Sequence, residues 1–140
     1  NATVMSWRGM DGGIAAAKAN HDVVMAPGSH TYFDHYQSRD KTKEPLAIGG
    51  FTPIDSVYAF EPVPPQLTPD EAKHVLGAQA QLWAEYMPNA KHVEYMAYPR
   101  MVALSEVLWS SKARRDFTDF TGRLPTHLAR LDALDVNYRK

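Results

Sequence analysis

The 140-residue chain has no cysteine, which removes disulfides, thiolate metal sites and cysteine nucleophiles from consideration. It also lacks an excess of either charge: 15 basic and 16 acidic residues leave a formal net charge of −1. Nucleic acid and anionic membrane surfaces are bound through clustered positive charge and counterion release. The longest basic cluster, Lys112-Ala113-Arg114-Arg115, is short and followed by Asp116, so no nucleic-acid partner is expected. No uninterrupted apolar run approaches the ~20 residues that a membrane helix requires, and no membrane span is expected. A charged and apolar leader is missing too. The chain starts at Asn1 and reads as an internal or processed piece of a longer protein, with Asn1-Ala2 either native or an expression scar. What is present, 44% hydrophobic and 22% charged residues, is the composition of one packed domain rather than a disordered tail.

Ala2-Thr-Val-Met-Ser-Trp7 is β-prone and stops at Arg8-Gly9. Ile14 to Ala19 are strong helix formers, with Asn20 as the stop. Asp22 to Ala26 form a second apolar strand closed by Pro27-Gly28. Strand, helix and strand within 26 residues match a βαβ unit, and near-continuous apolar strands suit a parallel sheet covered on both faces. Residues 38–53 read as a polar, then Gly-rich, surface excursion. Thr52-Pro53-Ile54-Asp55 and Thr68-Pro69-Asp70-Glu71 both carry a hydroxyl cap, an early proline and an acid in the first turn. Val75 to Trp83 is the third strand, and its Gly77, Ala78 and Ala80 suit a crowded barrel interior. His92 to Trp109 is helical and broken or kinked at Pro99. Phe117, Phe120, Leu124, Leu128, Leu131 and Leu134 form an amphipathic stripe interrupted at Pro125. The order β-α-β-excursion-β-α-α implies an α/β fold with a parallel sheet.

Chemistry is expected at the strand ends, because the carboxyl ends of parallel strands form the ligand face. The first strand ends at Trp7, the second runs on to Tyr32-Phe33-Asp34, and the third ends at Trp83-Ala84-Glu85. In an extended segment residues i and i+2 share a side, so Tyr32 with Asp34, and Trp83 with Glu85, each present an aromatic and a carboxylate together. That combination suits a sugar, whose C–H face stacks on an indole while its hydroxyls donate to carboxylates. Taken singly, an aromatic on a strand is more often core than ligand, and each acid fits a cap or an exposed loop charge; it is the repeated aromatic-x-carboxylate pattern after strands that favours a site. His30 and His35 flank the Tyr-Phe-Asp segment and read as pocket-rim residues. The six histidines show no metal-ligand spacing, so no metal site is expected. Gly9, Gly12 and Gly13 lack a Walker lysine, and Ser105 and Ser110 lack a nucleophile elbow.

Val4-Met-Ser-Trp-Arg-Gly9, Val23-Val-Met-Ala-Pro27, Tyr32-Phe-Asp-His-Tyr-Gln37, Gly77-Ala-Gln-Ala-Gln-Leu-Trp-Ala-Glu-Tyr86 and Tyr98-Pro-Arg-Met-Val-Ala-Leu-Ser-Glu-Val-Leu-Trp109 resemble, in this order, the family 20 glycoside hydrolases, the β-N-acetylhexosaminidases. The resemblance implies the C-terminal portion of a (β/α)8 TIM barrel, about strands six to eight with their helices, with residues 1–140 forming one piece without an internal boundary. It implies that Trp7 walls the pocket for the methyl of the substrate's 2-acetamido group. Tyr32 would donate its hydroxyl to the acetamido oxygen, the nucleophile of this substrate-assisted route. Asp34 and Glu85 would accept from the 6- and 4-hydroxyls, and Trp83 would pack on the pyranose. Arg8 receives no role. The implied partners are amino-sugar glycans or chito-oligosaccharides, with no cofactor. The implied setting is a bacterial parent that is periplasmic, cell-surface or secreted.

The family's catalytic Asp-Glu pair, which follows a His-x-Gly-Gly signature, is not in this sequence. Its one adjacent Asp-Glu, Asp70-Glu71, reads as a helix cap and first-turn charge. The chain is therefore expected to carry half a sugar site and to be inactive alone. Three βα units cannot close an eight-stranded barrel, so self-association through open sheet edges, or local rearrangement, is expected. Two other readings stay open at this level: a non-catalytic carbohydrate-binding module, and a structural piece whose aromatics are core.

Overall fold

The computed structural model describes residues 2–140; Asn1 and the question of its origin lie outside them. Strand β1 (Val4–Ser6), helix α1 (Asp11–Lys18) and strand β2 (Val23–Met25) form the first unit. After β2 come α2 (Gly28–Thr31), a 3-10 turn at Lys41–Lys43, α3 (Ile54–Ala59) and α4 (Pro69–Ala72). Then follow β3 (Val75–Ala78), α5 (Ala90–Ala97), α6 (Arg100–Trp109), a second 3-10 turn at Lys112–Arg114 and α7 (Phe117–Ala133). The strands make one parallel sheet in the order β1-β2-β3, which is the α/β arrangement expected from the alternation of elements.

Helix α1 begins three residues before Ile14, where the run of helix formers starts, and takes in Gly12 and Gly13. The cause is close packing on the sheet. Gly13 N–H donates to Ser6 Oγ at 2.9 Å, while a Cβ on Gly13 would lie 2.6 Å from Met25 Sδ. Asn20 ends the helix as expected, at φ 60° in the left-handed region. Strand β3 is shorter than the sequence suggests. Its register against β2 slips by one residue, with Val23 opposite Val75 and Val24 opposite Gly77. Leu76 is therefore a bulge residue, 61% exposed, and regular pairing stops at Ala78.

Two helix-start expectations come out differently. Thr68 forms the full capping box, its backbone N–H donating to Glu71 Oε2 at 2.7 Å, so Asp70-Glu71 is indeed a cap and first-turn pair. Thr52 is no cap: its hydroxyl bonds His35 Nδ1 at 3.0 Å and Pro53 takes the N-cap position. Pro99 splits the long helical stretch into α5 and α6. Pro125, by contrast, sits inside the continuous α7 and does not interrupt it. Pro125 and Thr121, whose carbonyl loses its i+4 donor, both face solvent, where water satisfies that oxygen.

The core lies between the sheet and the helices: Val23, Met25, Phe33, Val57, Tyr58, Phe60, Ala103, Leu104 and Val107 are buried together with Phe120 of α7. A smaller cluster of Tyr36, Ala47, Met87 and Met96 anchors the 38–53 excursion against α5. Met25, Met87 and Met96 are core residues, whereas Met5 is 45% exposed and fills no gap.

Candidate functional site

Two extensions of the sheet bring the strand ends together. Beyond β1, Ala26 N–H donates to Ser6 O at 2.9 Å and Gly28 N–H to Trp7 O at 3.2 Å. Beyond α2, Tyr32 makes a parallel bridge with Gln81: Phe33 N–H donates to Gln81 O at 2.8 Å and Gln81 N–H to Thr31 O at 2.8 Å. Two residues past that bridge on each strand come Asp34 and Trp83. The segment after Tyr32 does not stay extended as the i, i+2 argument supposed. It turns, His35 N–H reaching Tyr32 O at 3.4 Å. The turn drives Phe33 fully into the core while Tyr32 and Asp34 still face the same depression.

Trp7, Tyr32, Asp34, Trp83 and Glu85, with Ile48, line one open pocket of about 410 Å³. All five residues singled out in the sequence thus converge. Trp7 and Trp83 are 49% and 54% exposed, so neither indole is core here. A second depression of about 360 Å³ shares Trp7 and Tyr32 and adds Arg8, Gly9, Gly28, Ser29 and His35. The Arg8 guanidinium stands 4.8 Å from the Trp7 ring centroid and covers one of its faces.

Asp34 is the electrostatic centre of the pocket. It is 6% exposed, and its Oδ1 has no hydrogen-bond partner among the described residues. Burial raises its pKa above the usual carboxylate range and the Glu85 charge adds to this, while its own backbone N–H, His35 and Arg100 pull it back. A largely buried carboxylate that lines the pocket beside two half-exposed indoles can accept from a hydroxyl donor. Among the described residues no group of three or more histidines and acids is placed to hold a metal ion.

Sequence reasoning singles out neither Ile48 nor Arg100, and His35 only as a pocket-rim residue. Ile48 comes from the excursion that reads as mere surface. His35 does more than sit on a rim: its ring packs at a tilt of 41° against Tyr32, with centroids 5.5 Å apart, and burial pushes it toward neutrality. His30 is no rim residue, stacking instead on Phe60 at 5.2 Å. Arg100, quoted only within Tyr98-Pro-Arg, is fully buried behind the site. No periodicity signals a buried arginine, although a charged residue opening an apolar helix was a usable cue.

Gly50 closes the excursion onto His35. It has φ +65°, and a Cβ there would lie 2.4 Å from His35 Cγ. Gly50→Ala combines a left-handed backbone with a clash against a ring that also contacts Tyr32 and is hydrogen-bonded to Thr52. It is expected to cost about 1–3 kcal/mol, read as a lower denaturation midpoint of the intact parent; an unchanged midpoint would show that the loop yields freely.

With this geometry in place, comparison with known proteins is decisive. The catalytic-domain profile of glycosyl hydrolase family 20 matches residues 1–112. The chain belongs to this family. A β-hexosaminidase of Porphyromonas gingivalis is 54% identical over 139 residues, covering 99% of this chain and 18% of the relative. A β-N-acetylhexosaminidase of Cellulomonas fimi is 34% identical over 117 residues, covering 81% of this chain and 23% of the relative. Among solved structures, the family 20 exo-β-N-acetylglucosaminidase of Vibrio harveyi in complex with N-acetylglucosamine superposes with a TM-score of 0.86 at 34% identity, over 99% of this chain and 22% of that one. The chain spans between 18% and 23% of the length of these three proteins. No described helix is long and apolar enough to cross a membrane.

Proposed function

We propose that this chain is the C-terminal part, about strands six to eight with their helices, of the (β/α)8 catalytic barrel of an exo-β-N-acetylhexosaminidase. The parent releases terminal β-linked N-acetylglucosamine or N-acetylgalactosamine with retention of configuration. One observation carries the reading: Trp7, Tyr32, Asp34, Trp83 and Glu85 line a single pocket, and one Asp34 carboxylate oxygen has no hydrogen-bond partner among the described residues. In this reading Trp7 flanks the acetamido methyl and Trp83 packs on the pyranose C–H face. Tyr32 donates to the acetamido carbonyl oxygen and holds it in line with the anomeric carbon, which it attacks as the glycosidic bond breaks. Positioning a nucleophile within the substrate itself lowers the barrier by removing orientational freedom. Asp34 and Glu85 accept from the 6- and 4-hydroxyls.

Protonation of the leaving oxygen is left to the Asp-Glu pair of an earlier strand, since Asp70-Glu71 is used as a cap on α4. The chain alone therefore binds but does not turn over. Residues 1–140 act as one unit: Phe120 of α7 packs on Tyr58 at 4.8 Å, and Arg139 Nε pairs with Glu44 at 2.6 Å. Exposed Met5 and Leu76 on the outer strands support self-association of the isolated chain when the rest of the barrel is not supplied.

The test is hydrolysis of aryl β-glycosides by the full-length parent. Cleavage of the N-acetylglucosaminide with retention, no cleavage of the plain glucoside, and no turnover by residues 1–140 alone are expected. Equal rates on both glycosides would exclude participation by the acetamido group. Binding of N-acetylglucosamine by an inactive parent, seen in tryptophan fluorescence, would favour a carbohydrate-binding module instead.

A further inference from the structure

Arg100 opens helix α6 and is the largest fully buried side chain of the protein. Among the described residues no carboxylate lies within ion-pair distance of it; its charge is met by backbone carbonyls. Nη2 donates to Phe33 O at 2.5 Å and to Met96 O at 2.6 Å. Nη1 donates to His35 O and to Thr52 O, both at 3.0 Å. Nε donates to Met96 O at 3.2 Å. All five guanidinium donors are occupied, and the guanidinium carbon lies 4.8 Å from the Phe33 ring centroid.

Burying an arginine without a carboxylate is costly, so the identity of its acceptors matters. Phe33 and His35 are the neighbours of Asp34 on either side. Thr52 ends the excursion that delivers Ile48 to the pocket, and its hydroxyl holds the His35 ring that packs at a tilt against Tyr32. Met96 fixes the clamp to α5. One planar fork therefore ties the turn bearing Asp34, the loop behind it and the α5–α6 joint into a single geometry.

We infer that Arg100 is a positioning residue of the sugar site, setting the Asp34 carboxylate and the Tyr32 hydroxyl by gripping the carbonyls on both sides of Asp34. This rests on the assignment of Asp34 to the 6-hydroxyl. Burial lowers the Arg100 pKa to about 9, so the fork remains charged at neutral pH. Lysine keeps the charge but offers three donors on one atom and cannot span four carbonyls.

The test uses the full-length parent with aryl N-acetylglucosaminide and its 6-deoxy analogue. Wild type is expected to prefer the 6-hydroxyl substrate about tenfold to a hundredfold in kcat/KM, and Asp34→Asn to cut that preference to about fivefold or less. Arg100→Lys is expected to lower kcat/KM on the natural substrate about a hundredfold and to collapse the same preference. In the double variant the losses should be far from additive. Phe33→Leu, which loosens the guanidinium without removing it, should show a smaller loss of the same kind and covers the case in which Arg100→Lys does not fold. A variant of either residue that loses rate yet keeps the wild-type 6-hydroxyl preference overturns the inference. No preference in wild type overturns the Asp34 assignment instead, and the two failures are thereby distinguished.

Discussion

Replacing Tyr32 with phenylalanine in the intact parent is expected to lower kcat by about 10²–10³-fold while leaving the denaturation midpoint almost unchanged. The two halves of this result have separate causes. The Tyr32 ring is half-buried and packs on His35, and phenylalanine preserves that contact. The hydroxyl makes no hydrogen bond within the described residues, so its removal leaves no orphaned partner and should shift stability by no more than about 0.5 kcal/mol. In the reaction the same hydroxyl fixes and polarises the acetamido oxygen while charge develops on it. Loss of one such aligned donor costs about 10²–10³ in turnover. Steady-state kinetics on an aryl N-acetylglucosaminide, paired with thermal denaturation, checks both. An unaltered kcat would assign Tyr32 to packing alone, and a large fall in midpoint would show that its hydroxyl has a structural partner.

Legibility of the fold tracked how local each cause is. β1, α1 and β2 are marked by apolar runs and glycines a few residues apart, and the parallel sheet follows from their spacing. Thr68-Pro69-Asp70-Glu71 is a capping box because every partner lies within four residues. The identical-looking Thr52 fails as a cap because His35, 17 residues away, takes its hydroxyl. Pro125 stays within α7 because the unpaired carbonyl faces water, a property of tertiary placement. Regular pairing of β3 stops at Ala78, opposite the last residue of β2, and its register slips at Leu76; only the pairing partner reveals either. The site shows the same division. Trp7 directly follows β1, and Tyr32-Phe33-Asp34 and Trp83-Ala84-Glu85 each pair an aromatic with an acid within ten residues of the end of β2 or β3, so the five were readable as a set. Arg100 and Ile48 depend on chain segments 67 and 14 residues from the turn they serve; nothing local announces Ile48, and the only local cue to Arg100 is a charge opening an apolar helix.

Asp34→Asn is expected to stabilise the unliganded protein at neutral pH while weakening its hold on the sugar. Burial is the main cause of the raised Asp34 pKa, with the Glu85 charge adding to it, so the ionised carboxylate is less favourable in the fold than in the unfolded chain. The sign follows from linkage. A raised pKa in the folded state gives a contribution that is fully present below the unfolded pKa and is lost as pH rises through the folded one. At neutral pH wild type has lost it, whereas an uncharged asparagine carries no ionisation cost. The denaturation midpoint of Asp34→Asn should therefore exceed that of wild type near pH 7, and the difference should shrink on acidification. Sugar binding moves in the opposite sense, because a charged acceptor contributes about 1.5–3 kcal/mol where a neutral one contributes about 1 kcal/mol. Affinity for N-acetylglucosamine should fall several-fold in the variant. In wild type it should also weaken as pH drops through the raised Asp34 pKa, while the variant stays flat over that interval. Tryptophan fluorescence titration reads this directly, since Trp7 and Trp83 line the same pocket. A variant that is less stable than wild type at pH 7, yet binds the sugar equally well, would place the Asp34 carboxylate in a structural hydrogen bond rather than in sugar recognition.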